Sequence, residues 1–206
     1  MWQMTRGRRE VGGVEVTGHL CMNEPRHSSA EPHERVEYRI AAAESSGLPD
    51  GSADLVTAAQ SLHWFDVTGF FAEARRVAKP DGIVAVWTYT RPGTGDPAID
   101  APLEQFHENV IAPWWPPERR LVDTGYRTVP FPFAEIDPPQ FEMTARWTLR
   151  ELLGYIGTWS ATARLRAATG GDPIPALEAA LDRAWGGSDA RREVRWRLSA
   201  RVGRCT

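Results

Sequence analysis

Two short runs carry the side chains best suited to ligand chemistry. Gln60-Ser61-Leu62-His63 follows directly on the apolar run Ala53–Ala59, and Glu44 follows the alternating run Val36-Glu37-Tyr38-Arg39-Ile40. A neutral imidazole can remove a proton as a bond forms at a neighbouring atom, so His63 is a candidate general base. It is the one histidine expected in a position for proton chemistry, since His19, His27 and His33 are scattered through a polar start. A carboxylate on a loop at the carboxyl end of a strand can read an amine donor, which marks Glu44. Plainer readings stand beside both. Glu44 can be a solvated loop charge, and His63 can pack beside Trp64 and Phe65 or orient a neighbour.

Other chemistries find no support in the spacing. Cys21 has no second cysteine at metal-ligand distance, so no metal site is expected. There is no GxxxxGK[ST] phosphate loop and no G-x-S-x-G elbow. The net charge of -3 gives no general reason to expect nucleic acid. The row Arg191, Arg192, Arg195, Arg197, Arg201 and Arg204 reads as a solvated or acid-paired strand face. No stretch approaches the ~20 apolar residues of a membrane helix. Arginines near the start lack the apolar run of a secretory signal, so Cys21 and Cys205 are expected as free thiols in the cytoplasm.

The elements that must position these residues belong to an α/β pattern. The run at 36–40 alternates as a strand, and ADLVTAA (Ala53–Ala59) suits a strand covered on both faces. Residues 68–78 form a helix with Phe70, Phe71, Ala74 and Val77 on one side, stopped by Lys79-Pro80-Asp81-Gly82. Residues 83–87 (IVAVW) make a second buried strand. Strand, helix, strand with short turns is a crossover unit, so a parallel sheet is expected, with 36–40, 53–59 and 83–87 as neighbours. Further helices are expected at about 100–111, 148–159 and 160–168, and after Asp172 and Pro173. A strand is expected at 141–147, and the strictly alternating 194–202 should join the main sheet antiparallel.

The order and spacing of four runs together carry a resemblance. They are Glu44-Ser45-Ser46-Gly47-Leu48-Pro49, Ser52-Ala53-Asp54-Leu55-Val56, Gln60-Ser61-Leu62-His63-Trp64-Phe65-Asp66, and AEARRVAKPDG leading into IVAVW. Over residues 36–90 the chain resembles class I S-adenosylmethionine-dependent methyltransferases, in particular the small-molecule branch that includes trans-aconitate methyltransferase. The resemblance implies a Rossmann-like sheet with an antiparallel last strand and a helical insertion before it. It implies S-adenosylmethionine as cofactor and methyl transfer to a small organic acceptor, with O- or carboxyl-methylation favoured. Glu44, with Ser45 beside it, matches the acidic residue that accepts from the adenine amino group. Gln60 and Ser61 match the segment lining the cofactor's methionine end, and His63 lies beside the acceptor. Methyl transfer to a carboxylate needs no base, since alignment supplies much of the acceleration.

The start departs from the family pattern. Relatives open with a strand, a glycine-rich loop, a helix and a second strand ending in a ribose-binding acid. Only 35 residues precede the strand at 36–40, against roughly 45–50 for such a series. Val11-Gly12-Gly13-Val14 lacks both the spacing and a preceding strand. Residues 1–34 are therefore expected to be a divergent or poorly ordered segment, with a short strand at 14–16, and 35–206 to be the methyltransferase-like domain. The sheet is expected to be incomplete on that side, leaving 53–59 with an open edge suited to self-association. Weak binding of the cofactor follows from the same loss. The alternative reading is a truncated or degenerate relative serving as a binding module or helper subunit.

Overall fold

The computed structural model describes residues 2–10, 13–22, 36–187 and 189–206. In chain order the strands are β1 (Trp2–Glu10), β2 (Gly13–Met22), β3 (Val36–Ile40), β4 (Ala53–Ala59), β5 (Ala78–Tyr89), β6 (Ala134–Ile136), β7 (Glu142–Trp147) and β8 (Arg192–Arg204). The α-helices are α1 (Val67–Val77), α2 (Pro97–Gln105), α3 (Arg119–Asp123), α4 (Leu149–Gly157), α5 (Ser160–Thr169) and α6 (Ile174–Trp185). The chain divides into two units, residues 1–89, 120–140 and 199–206 in the first and residues 90–119 and 141–198 in the second.

The first unit is built on a sheet of order β3-β2-β1-β4-β5-β8-β6. As the apolar runs require, β4 and β5 are parallel neighbours joined through α1. The last strand joins the same sheet, and β6 pairs with it antiparallel. The expected adjacency of 36–40 and 53–59 is not found. An antiparallel hairpin, β1 with β2, lies between them, and β3 runs parallel to β2 with Gly18 opposite Val36. The edge of β4 expected to be open is paired by β1, from Trp2 opposite Ala58 to Thr5 opposite Leu55. The strand expected at 14–16 is part of the longer β2. Polarity hid these strands from the sequence, because pairing uses backbone donors and acceptors that any side chain but proline permits.

Another difference lies at Lys79-Pro80-Asp81-Gly82, expected as a turn and found inside β5. The turn chemistry survives as a kink. Asp81 takes φ 62°, and a Cβ on Gly82 would come within 2.9 Å of the Lys79 carbonyl. Helix α1 starts where the sequence places it, with the Asp66 side chain accepting from Thr68 N at 3.2 Å. Its apolar face buries Phe70, Phe71, Ala74 and Val77 against Val56, Ala58, Val84 and Val86 of β4 and β5. Cys205 is buried there as a free thiol, and burial pushes its pKa up.

The second unit carries the expected helical insertion. Asp96 caps α2, which continues through a π-helix at Phe106–Ile111 into a 3-10 turn at Ala112–Trp114. Thr148 and Glu151 form a reciprocal capping box on α4. Asp172 accepts from Ile174 N at the start of α6, and Gly186 ends that helix at φ 88°. β7 pairs antiparallel with the first half of β8, Glu142 opposite Arg197 through Trp147 opposite Arg192. Among the described residues no helix is long and apolar enough to cross a membrane.

Phe70 is fully buried, so Phe70→Ala should cost about 3–5 kcal/mol. A thermal melt is expected to fall by roughly 6–20 °C, whereas substitution of exposed Arg150 should leave it unchanged.

Candidate functional site

The segment leaving β4 is fixed at its first residue. Ala59 opposite Trp87 is the last paired position of β4 and β5, and Gln60 N still donates to Trp87 O at 2.9 Å. Gln60 then turns with φ 50°, outside the range a non-glycine residue ordinarily adopts. Its side-chain amide holds the end of β5. Oε1 accepts from Tyr89 N at 2.9 Å and from Thr88 Oγ1 at 2.5 Å, while Nε2 donates to Tyr89 O at 3.0 Å. Ser61 beside it is buried, and its carbonyl accepts from Trp64 N at 2.9 Å.

His63 sits on the following 3-10 turn, only 9% exposed. Its Nδ1 lies 3.0 Å from the Tyr126 hydroxyl, and its ring packs 4.8 Å from that of Trp64. Tyr126 is fully buried and takes φ 61°, directly after Gly125 at φ 61°. A bulky residue in the left-handed region is a true outlier, tolerated only where its surroundings impose it. Those surroundings are visible. Arg201 of β8 donates to the Tyr126 carbonyl at 3.1 Å and also to the Val129 carbonyl. A Cβ on Gly125 would come within 2.7 Å of Ser199.

Glu44 reaches the same loop from the other side. Its Oε1 accepts from the backbone N of Asp66, the cap of α1, at 2.9 Å. A negative charge is favoured there by the helix dipole. Gly69 makes the approach possible, since a Cβ at that position would meet Glu44 Cγ and Asp66 Oδ2, each at 2.9 Å. The loop bearing Glu44 is anchored by a group the sequence did not point to. Glu73 of α1, 6% exposed, accepts from Ser46 N and Oγ at 2.8 and 2.5 Å and from Arg76 Nε and Nη2 at 2.8 and 2.7 Å. Hydrogen bonds from the Arg76 guanidinium, aided by Ser46 and opposed by burial, bring the Glu73 pKa down from 4.5 to about 2. Arg76 also pairs with Asp50.

Of the residues expected at the site, Glu44 therefore joins the loop of Gln60, Ser61 and His63 through Asp66. Ser45 is exposed, and its backbone closes a bridge to Ala42. Sequence reading missed Tyr126, Arg201, Ser46 and Glu73; apart from the i,i+3 pair of Glu73 with Arg76, the contacts that place them span 27 to 75 residues. No local pattern could have revealed them. A second histidine has a carboxylate neighbour. In the second unit His107 Nδ1 lies 3.0 Å from Glu108 Oε1, with Nε2 buried.

Four arginines of the row, read from sequence as solvated or acid-paired, meet acids closely. Arg191 meets Glu151, Arg192 meets Asp96, Arg195 meets Glu193, and Arg201 meets Glu135, at 2.5–3.2 Å. Arg195 and Arg197 line an open cavity of about 630 Å³ in the second unit, along with Arg91, Asp100, Glu104 and Glu142. Among the described residues no group of three or more His, Cys, Asp or Glu is placed to hold a metal ion.

An open α/β sheet carrying the parallel crossover β4–α1–β5 defines a Rossmann-like protein. Comparison with known proteins gives the family. A model described as a methyltransferase domain matches residues 2–86, taking in the β1–β2 hairpin. A protein of Anaeromyxobacter dehalogenans, provisionally described as a type II methyltransferase, is 42% identical, with a TM-score of 0.85 over 91% of this chain and 80% of that one. A protein of Dictyostelium discoideum, provisionally named a methyltransferase, is 29% identical over 163 residues, 78% of this chain. The chain spans 62% of that relative's length. The chain belongs to the class I S-adenosylmethionine-dependent methyltransferase family.

Two substitutions test the bracing of this loop. Glu73→Gln should cost about 2 kcal/mol near neutral pH, by loss of charge-assisted hydrogen bonds. Because the folded pKa lies below the ordinary value, the wild-type advantage is fully present above pH 4.5 and is lost as pH falls towards 2. Denaturant midpoints of the two proteins should therefore converge as pH falls from 4.5 to about 2. Gly69→Ala should displace Glu44, and the Asp66 amide should exchange with solvent roughly tenfold faster.

Proposed function

We propose that the chain transfers a methyl group from S-adenosylmethionine to an oxygen of a small organic acceptor, a hydroxyl or a carboxylate. The observation that carries this reading beyond family membership is the state of Glu44. One carboxylate oxygen is committed to Asp66 N, and the other has no protein partner among the described residues. A half-used carboxylate at the carboxyl end of a sheet, with the Gly69 backbone and the Asp66 carboxylate close by, suits an amine such as that of adenine. Gln60 and Ser61 would hold the amino-acid end of the cofactor. When bound, the cofactor supplies an electrophilic methyl on a cationic sulfur.

What the protein's own residues must supply is alignment, and the loop's bracing serves that purpose. A carboxylate acceptor has no proton to lose at neutral pH, so no base is required for it. His63 on this reading is a positioning residue: Tyr126 holds Nδ1, and the ring packs in a buried setting. A positioning role and a base role separate in experiment, because loss of a base costs 10²–10⁴-fold in rate.

Calorimetric titration with S-adenosylhomocysteine tests the reading. Saturable binding is expected, weaker than the low micromolar range, and Glu44→Ala should weaken it at least tenfold, about 1.4 kcal/mol. His63→Phe and Tyr126→Phe should each weaken it by a similar factor of about three to ten. Their combination should be no weaker than the worse single variant, since both break one contact. Absence of saturable binding would overturn the reading in favour of a non-catalytic binding module or helper subunit.

A further inference from the structure

Nine tryptophans are many for 206 residues, and the second unit gathers four of them into one set of rings. His107, Trp115 and Trp159 lie with centroids 5.9–6.1 Å apart, each in contact with the other two. Trp159 continues to Tyr155 at 5.7 Å, and Tyr155 to Trp147 and Trp196 at 5.3 and 5.6 Å. An ordinary apolar core would leave no polar atom unmet. Here three ring nitrogens are shut from solvent with no hydrogen-bond partner among the described residues: His107 Nε2, Trp115 Nε1 and Trp196 Nε1. Buried polar atoms in folded proteins are nearly always paired, so the two on the adjoining rings of His107 and Trp115 require an explanation.

The chemistry of the missing partner follows from the nitrogens themselves. His107 Nδ1 is 3.0 Å from Glu108 Oε1, and an ionised carboxylate only accepts, so Nδ1 carries the hydrogen. In the neutral ring Nε2 is then an acceptor, whereas an indole Nε1 only donates. One acceptor and one donor on adjoining rings are satisfied together by a hydroxyl. A carboxylate would set lone pairs against Nε2, and an ammonium would leave the Trp115 N–H unmet. The surrounding walls are ring faces and edges, which pack best on another ring.

We propose that this cluster is a binding site for a small phenol-like ligand, whose hydroxyl donates to His107 Nε2 and accepts from Trp115 Nε1. If the methyl-transfer reading holds, such a ligand is of the acceptor's class, but binding does not depend on that reading. The rings part to admit it, because the nitrogens are closed to solvent. His107 lies on the π-helix Phe106–Ile111 with 12% of its side chain exposed, and π-helical turns recur where a helix serves a site. The Arg119 guanidinium lies 4.2 Å over the Trp115 ring, so this wall is held by a cation rather than by core packing alone.

The test uses the full chain labelled with nitrogen-15 and three probes of one shape: phenol, anisole and toluene. Only phenol can both donate and accept. It should bind saturably, roughly tenfold more tightly than either other probe, and shift the indole resonance that disappears in Trp115→Phe. Trp115→Phe keeps a ring and should abolish the preference for phenol, while Trp159→Phe, whose nitrogen is not among the three, should retain it. His107→Phe gives a second variant with the same expected loss should Trp115→Phe fail to fold. Equal affinity for the three probes, or no saturation by phenol up to its solubility, overturns the proposal. S-adenosylhomocysteine is titrated separately: cofactor binding without phenol binding overturns this site alone, and phenol binding without cofactor binding leaves it standing while the methyl-transfer reading falls.

Discussion

A buried carboxylate, Glu73, sets the position of the candidate site. Four donors converge on it, two from Ser46 and two from Arg76. An unpaired charge at this depth would be strongly unfavourable, so the loop and the helix are held in the one arrangement that pairs it. The constraint matters because of where β3 lies. With two strands between β3 and β4, no shared ladder aligns the loop after one with the loop after the other. Side chains make the link instead, Glu73 to Ser46 behind the loop and Glu44 to Asp66 in front of it.

The opposite side of the loop depends on a different kind of constraint. Gln60 and Tyr126 are two of the three non-glycine residues with positive φ among those described, and both belong to the site. Each is over-determined by hydrogen bonds, Gln60 by the end of β5 and Tyr126 by Arg201 and the close approach of Ser199. Backbone strain of this kind persists where a fold imposes it, and it gathers where a side chain must face a direction that relaxed backbone would not allow. Tyr126 presents its hydroxyl to His63 in just such a way.

How much of this was legible in the sequence depended on distance along the chain. The β4–α1–β5 unit was plain, because each element carries its own periodic apolar signal and a local cap or turn. Glu44, Gln60 and His63 could be singled out because each follows directly on such an element. The order of the sheet could not, since a polar strand pairs through its backbone as well as an apolar one, and the alternation at 14–16 covers only a small part of the β1–β2 hairpin. Nor could Tyr126 or Arg201, whose roles arise only when segments more than sixty residues from His63 and from each other's partners are brought together. The tryptophans were conspicuous in composition, but their arrangement, and with it the unmet nitrogens, exists only in three dimensions.

One detail of Gln60 reaches beyond geometry. Its amide offers Tyr89 one acceptor and one donor, as a peptide group would, so the side chain adds a rung to the β4–β5 ladder after the backbone has turned away. A counterfeit peptide bond of this kind leaves the position almost no freedom to vary. Asparagine is a methylene too short, glutamate offers only acceptors, and lysine or arginine only donors. The genetic code is equally restrictive, for no other side chain carries a carboxamide at that reach. Asparagine, glutamate, lysine or arginine at this position would each forfeit at least one of the two bonds to Tyr89, although nothing about a lone glutamine after an apolar run announces it.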